Sequence, residues 1–313
     1  MKMSRLVVGT RASALALWQT GYVIDQLCAT RHTLEVEVKT IKTQGDKVQD
    51  VALSRVGGKG LFVKEIEEAL LSRKIDLAVH SLKDMPTVQP AGLVLAAILE
   101  RGDPRDALVL YEGEGDLYTL PAGARVGTSS LRRRAQLLAA RPDLDVVDLR
   151  GNVDTRLRKV REGEYDAAVL AAAGLERLGH GMAISQHLPV EVMMPAVGQG
   201  ALCVEVRADD VQTREWVGCL DHTPTRQATD AERALLRWLE GGCQVPVGAY
   251  GRVIDAELHL RGLVAAVDGD RVVRDAISGP AREAERLGFE LAERLLEAGA
   301  REILAEVRRA AGG

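Results

Sequence analysis

Aromatic side chains make up only 3% of the 313 residues, so stacking platforms for bare nucleotide bases are scarce and the cores must be filled by Val, Leu, Ile and Ala. Cysteine is equally sparse. Cys28, Cys203, Cys219 and Cys243 stand without CxxC or Cys/His spacing, which excludes a disulfide framework and gives no sign of a structural zinc. GxGxxG and GxxxxGK[ST] are both missing, and Gly57-Gly58-Lys59-Gly60 lacks the spacing of a phosphate loop. No apolar run approaches the ~18 residues of a membrane span. The run after Met1-Lys2-Met3-Ser4-Arg5 stops at Gly9, too soon for a signal-peptide core, so the protein is expected in the cytoplasm. A strong charge of one sign is lacking too. Forty-one Lys and Arg against 45 Asp and Glu leave a formal net charge of -4, so no global basic field holds nucleic acid or an anionic membrane.

What the chain has is apolar material, 46% of its residues, with 27% charged, enough for the two or three cores that its length implies. The first two hundred residues alternate short apolar runs with amphipathic stretches, the pattern of an α/β fold with a mostly parallel sheet. Strands are expected at 5–9, 34–39, 75–79 and 93–99, with helices over about 12–28 and 61–71. A charged connector broken by Gly and Pro spans 99–107, and further strands fall near 125–127, 146–149 and 167–170. A Gly-rich polar segment, 43–60, is long for a connection and reads as a lid. After about Asp221 come an amphipathic helix, alternating runs 256–263 and 271–277 joined by an Asp268-Gly269 hairpin signal, and a closing helical stretch.

An internal echo links the first two parts. Val8-Gly9-Thr10 recurs as Val126-Gly127-Thr128, and Asp76-Leu77-Ala78-Val79 as Asp166-Ala167-Ala168-Val169. If it is more than chance, it places loops at the carboxyl ends of strands in two lobes flanking a ligand cleft.

Those loops carry the chemistry. His80-Ser81-Leu82-Lys83-Asp84-Met85-Pro86 follows an apolar strand and offers a carboxylate able to take and return protons, or, more blandly, a solvated turn with a surface ion pair. Thr128-Ser129-Ser130-Leu131-Arg132-Arg133-Arg134 sets hydroxyls at a helix N-terminus before three guanidiniums, suited to an anion. Arg150-Gly151-Asn152 with Arg156, and Thr10-Arg11-Ala12-Ser13, repeat the design. Each alone is explained by capping beside a solvated Arg face, in a chain with 32 Arg to 9 Lys. Together they imply a polyanion, and without a phosphate loop a polycarboxylate fits better than a nucleotide. Gly241-Gly242-Cys243-Gln244 places a thiol in a flexible loop where an electrophile can reach it, or, more blandly, an incidental thiol at a helix end.

The whole chain closely resembles the porphobilinogen deaminases (hydroxymethylbilane synthases). The resemblance rests on Val8-Gly9-Thr10-Arg11-Ala12-Ser13, Gly57-Gly58-Lys59-Gly60-Leu61-Phe62, His80 to Pro86, Gly127 to Arg133, Leu149-Arg150-Gly151-Asn152, Val197-Gly198-Gln199-Gly200 and Gly242-Cys243, all in the family's order. It implies a transferase that joins four porphobilinogen molecules head to tail on a covalent dipyrromethane primer. Ammonia leaves at each step, and hydrolysis frees hydroxymethylbilane for tetrapyrrole and haem biosynthesis. By motif, Cys243 carries the primer as a thioether, and Asp84 faces the pyrrole nitrogens and stabilises the cationic azafulvene. Arg11, Arg132, Arg133, Arg150, Arg156 and Arg177 would bind the acetate and propionate groups. Ser13, Gln19, Lys59, Ser81, Lys83, Thr128, Ser129, Ser130, Gly151 and Gln199 would support them, and Arg55 departs from the lysine found elsewhere in the family.

The implied fold has two α/β lobes like those of periplasmic binding proteins and a small α+β third domain with an antiparallel sheet. The expected division is 1–99 with 200–220, then 105–194, then 222–313. A monomer is implied, with no nucleic acid or membrane as partner. The rival reading is a non-catalytic two-lobed polycarboxylate sensor, and the thiol at Cys243 separates the two, since a sensor needs no anchored primer.

Overall fold

The computed structural model describes residues 4–44, 63–112, 114–239 and 245–312. They divide into two compact units, one taking in the described residues of 1–49, 58–102 and 201–226, the other those of 103–200 and 227–313.

In the first unit, β1 (Ser4–Thr10) lies parallel to β2 (Leu34–Thr40) and β3 (Leu77–Ser81), while β10 (Leu202–Arg207) runs antiparallel to β3 and to β4 (Leu93–Ile98). The order is β2-β1-β3-β10-β4. The central strands β3 and β10 are buried on both faces, whereas edge strand β2 alternates and is partly exposed. Leu6, Val8, Leu77, Val79, Val204 and Val206 pack on Val23 and Leu27 of α1 (Ala14–Thr30). On the other face, Ala78 meets Ile66, Ala69 and Leu70 of α2 (Lys64–Leu71).

The second unit repeats this design. β5 (Asp106–Leu110), β6 (Arg125–Gly127), β7 (Asp145–Val147), β8 (Ala167–Ala171) and β9 (Gln186–His187) form a sheet in the order β7-β6-β8-β5-β9. Here β6 is parallel to β7 and β8, and β5 is antiparallel to β8 and β9, the same order and senses as in the first sheet. The sequence echo is therefore structural. Val8 and Gly9 pair with Leu77 and Ala78, as Val126 and Gly127 pair with Ala167 and Ala168. In each copy the aspartate opening the strand accepts a backbone N–H from β1 or β6, Val7 to Asp76 at 2.8 Å and Arg125 to Asp166 at 2.6 Å. The shared glycine has a packing reason, since a Cβ on Gly9 would lie 2.2 Å from Ile75 Cδ1 and one on Gly127 2.8 Å from Leu149 Cδ2. α3 (Leu131–Ala140), α4 (Val153–Arg161) and α5 (Ala172–Arg177) follow β6, β7 and β8.

The charged connector expected over 99–107 ends earlier, because Asp106 opens β5 and is fully buried. α6 (Val211–Gly218) leads to α7 (Thr223–Trp238), the amphipathic helix expected after about Asp221. A meander of β11 (Val247–Ile254), β12 (Glu257–Ala265) and β13 (Val272–Pro280) forms the third, antiparallel sheet. Leu258 and Leu260 of that sheet pack on Ala231 and Leu235 of α7, Leu287 and Leu291 of α8 (Ala284–Leu295) and Ile303 of α9 (Arg301–Gly312). The fold is thus two α/β sheets of like topology and a small C-terminal antiparallel sheet.

Candidate active site

In the first unit the carboxyl ends of β1 and β3 meet the start of α1. Ser13 caps that helix, its Oγ accepting the Ala16 N–H at 3.3 Å. From the second turn of α1, buried Gln19 donates through Nε2 to Ser81 Oγ at 2.9 Å. β3 ends at Ser81 in a single 3-10 turn, Leu82–Asp84. The Leu82 N–H donates to the Ala201 carbonyl (3.0 Å) and the Met85 N–H to that of Leu82 (3.1 Å). Pro86, without a backbone N–H, stops the helix from continuing. Leu82 and Met85 are buried beneath the turn while Asp84 stands exposed. A cavity of about 60 Å³ opens there, lined by Arg11, Ser13, Gln19, His80, Ser81 and Asp84 among others. Lys83 sits in the same turn.

In the second unit three successive strand ends do the corresponding work. After β6, Thr128 Oγ1 accepts the Ser130 N–H (3.3 Å), Ser129 Oγ donates to the Leu149 carbonyl (3.0 Å), and Ser130 caps α3 by accepting the Arg133 N–H (3.4 Å). After β7, Arg150 and Gly151 precede Asn152, which caps α4 by accepting the Thr155 N–H at 2.8 Å. Arg156 Nε donates to the Gly151 carbonyl (2.8 Å), and Arg177, closing α5 after β8, donates to the Gly200 carbonyl (2.6 Å). Capping and ligand binding are compatible here, because each cap leaves other N–H groups of the first turn for an anion.

Arg132 and Arg133 are turned inward, at 5% and 6% exposure. Both reach Asp106, Arg132 Nη1 donating to Oδ2 (2.7 Å) and Arg133 Nε and Nη2 to Oδ1 (3.0 and 2.7 Å). Gln199 Nε2 adds a bond to Oδ1 at 3.0 Å. Burial alone would push the Asp106 carboxyl up, but Arg132 first, Arg133 next and the hydrogen bonds from Arg132 and Gln199 hold it well below the usual carboxylate range. Two guanidiniums against one carboxylate leave the cluster with one net positive charge. Arg150 differs, since its Nε is buried with no hydrogen-bond partner among the described residues. A buried donor of that kind is costly unless a ligand satisfies it.

The structure therefore gathers Arg11, Ser13, Gln19, Ser81, Lys83 and Asp84 in one unit, and Thr128, Ser129, Ser130, Arg132, Arg133, Arg150, Gly151, Arg156, Arg177 and Gln199 in the other. Cys243, Lys59, Arg55 and the lid expected over 43–60, from residue 45 onward, lie outside the described residues. Sequence reasoning missed Asp106, whose signal was the same as that of Asp76 and Asp166, an aspartate opening a short apolar strand.

Two family models match the chain, "Porphobilinogen deaminase, dipyromethane cofactor binding domain" over residues 6–215 and "Porphobilinogen deaminase, C-terminal domain" over 227–297. The chain is 54% identical over 308 residues to the porphobilinogen deaminase of Geobacter sulfurreducens, covering 98% of this chain and 96% of that one. To that of Desulforudis audaxviator it is 56% identical over 306 residues (98% and 99%), and to that of Moorella thermoacetica 54% over 310 (99% and 99%). Matched along nearly its full length by these relatives and by both family models, the chain belongs to the porphobilinogen deaminase family.

Proposed function

We propose that the two strand-end clusters carry the deaminase reaction as follows. Each condensation joins the aminomethyl carbon of porphobilinogen to a free pyrrole α-carbon. The C–N bond breaks, and ammonia leaves with the α-proton. The dipyrromethane of the family, when bound, supplies that free α-carbon and an anchor for the growing chain. Asp84 accepts hydrogen bonds from pyrrole N–H groups and stabilises the positive charge that develops as the C–N bond breaks. Its exposed carboxylate, on a turn held from below and beside the Arg11, Ser13 and Gln19 side chains, is the observation that carries this role.

The second unit binds carboxylates. Its residues suit a dipyrromethane with acetate and propionate groups: the orphan Nε of Arg150, the net charge left on the Asp106 cluster, and Arg156 and Arg177 at the neighbouring strand ends. Thr128, Ser129, Ser130 and Gln199 supply neutral contacts and Gly151 its backbone. Arg11, Lys83 and Lys59 add cations, and Cys243 is the thioether attachment point. The protein acts as a cytoplasmic monomer, divided 1–99 with 200–220, 105–194 and 222–313, with porphobilinogen as its small-molecule partner and no nucleic acid. Among the described residues no helix is long and apolar enough to cross a membrane. No observation favours the polycarboxylate sensor.

The test is Asp84→Asn, which is expected to fold and carry primer while losing at least about 10²-fold in turnover, the low end of what a general acid–base group contributes. Near-normal turnover in the primer-loaded variant would reject the role.

A further inference from the structure

Three titratable side chains on the α2 face of the first sheet take no part in the chemistry above. His80 of β3 is 6% exposed, Glu205 of β10 is fully buried and Glu67 of α2 is 9% exposed. Antiparallel pairing sets Cys203 opposite His80 and Glu205 opposite Ala78, and the two-residue period of strands puts all four on one face. His80 Nε2 lies 3.2 Å from Glu205 Oε2. Apolar clusters surround the three, with Leu82 and Ile98 in one and Ile66 and Leu70 in another. Beyond the His80–Glu205 contact, His80 Nε2, both Glu205 oxygens and Glu67 Oε1 have no hydrogen-bond partner among the described residues. Arg207 lies two residues on along β10, where its Nη1 and Nη2 are committed to Asp76, Asp210 and the carbonyls of Leu70 and Ile75 while its buried Nε has no hydrogen-bond partner among the described residues.

A bare carboxylate is not sustained in such a place, so the three groups together must be close to neutral. Burial first, and Glu205 second, push the Glu67 carboxyl up against the opposing pull of His80. A proton in the His80–Glu205 contact can sit on either partner, on Glu205 Oε2 or on His80 Nε2.

The placement matters because His80 directly precedes Ser81, the residue from which the turn bearing Asp84 starts, and lines the same cavity as Asp84. We propose that His80, bonded through Nε2 to Glu205, is a positioning residue for the deaminase reaction: it fixes the end of β3 and so the turn that presents Asp84, with one proton shared along the His80–Glu205 contact. The proposal rests on Asp84 being the reacting carboxylate.

The test compares primer-loaded wild type with His80→Leu, His80→Gln, Glu205→Gln and Asp84→Asn, by kcat and KM for porphobilinogen across pH. His80→Leu is expected to lower kcat about tenfold or more with KM within about threefold, the signature of lost alignment rather than lost binding. His80→Gln, whose amide nitrogen replaces Nε2 as a donor, should recover most of kcat, a rescue that a merely space-filling role would not give. Wild-type kcat in His80→Leu and Glu205→Gln, or no recovery in His80→Gln, would overturn the proposal. Full activity in Asp84→Asn would sink the underlying reading instead. If the His80 variants do not fold, nitrogen-15 shifts of the histidine rings in the wild-type holoenzyme decide. A His80 Nε2 signal shifted away from that of an unbonded ring nitrogen, whether it carries or accepts the proton, supports the contact, and an unbonded Nε2 overturns it.

Discussion

Replacing Asp106 by Asn keeps the shape of the side chain and removes the one carboxylate between two buried guanidiniums. Oδ1 accepts from Arg133 twice and from Gln199, and Oδ2 from Arg132. Whichever way the Asn amide turns, its NH2 faces a guanidinium donor. Arg132 and Arg133 are then left desolvated and mutually repulsive, and breaking a buried pair in this way costs ~3–5 kcal/mol. At ~2–4 °C per kcal/mol for a unit of this size, the midpoint of thermal unfolding should fall by ~6–20 °C. Calorimetry or urea unfolding measures it, with Asp209→Asn as control. That residue pairs with Arg73 at 2.6 Å on the surface, both side chains more than 60% exposed, so its loss should cost under ~1 kcal/mol. The effect has a defined pH sense. Because the native carboxyl titrates below its unfolded value, the stabilisation is complete above the unfolded carboxylate pKa of ~3.9 and is lost as pH falls below it, so wild type and variant converge in acid. A variant within ~1 kcal/mol of wild type at neutral pH would refute the reasoning.

Other consequences follow from the same geometry. Arg150→Ala removes a cation with an unsatisfied Nε and should leave stability nearly unchanged or improved while it stalls elongation or weakens primer retention; normal assembly and kinetics would undo the carboxylate assignment. Gly127→Ala would place a Cβ 2.8 Å from Leu149 Cδ2 and 2.9 Å from Leu149 Cβ and Tyr165 Cδ1, costing ~1–3 kcal/mol by overpacking. By contrast Gly21→Ala on α1, with nothing within 4 Å of the new Cβ, should stabilise by ~0.5–1 kcal/mol. Urea unfolding of the two glycine variants checks the contrast, and equal effects would contradict it.

The first two sheets were legible because their strands are short apolar runs between Gly, Pro and Asp, and because the echo at Val8 and Val126 has a local cause. A glycine must admit a neighbour, and an aspartate must hold the next strand. β11 was not legible. Its turn to β12 uses Asp255 and Ala256, both at positive φ (50° and 63°), where Asn-Gly would have signalled the hairpin. β5 was hidden because its first residue is charged, and a buried Asp looks like a connector until its guanidinium partners, 26 and 27 residues away, are in place. The same limit hid the His80–Glu205–Glu67 cluster, whose members come from three elements of the first unit. Motifs named the side chains at strand ends, but only folding shows that Arg132 and Arg133 spend their hydrogen bonds on Asp106 while Arg150 keeps an Nε unmatched.

Whether the chain builds tetrapyrrole on a primer anchored to Cys243 can be read from the denatured intact mass of the purified protein beside Cys243→Ala, with peptide mapping of any adduct. The wild type should show an excess equal to two linked pyrrole units, mapped to Cys243 and absent from the variant. A wild type that is unmodified, and stays so after incubation with porphobilinogen, would contradict that anchoring.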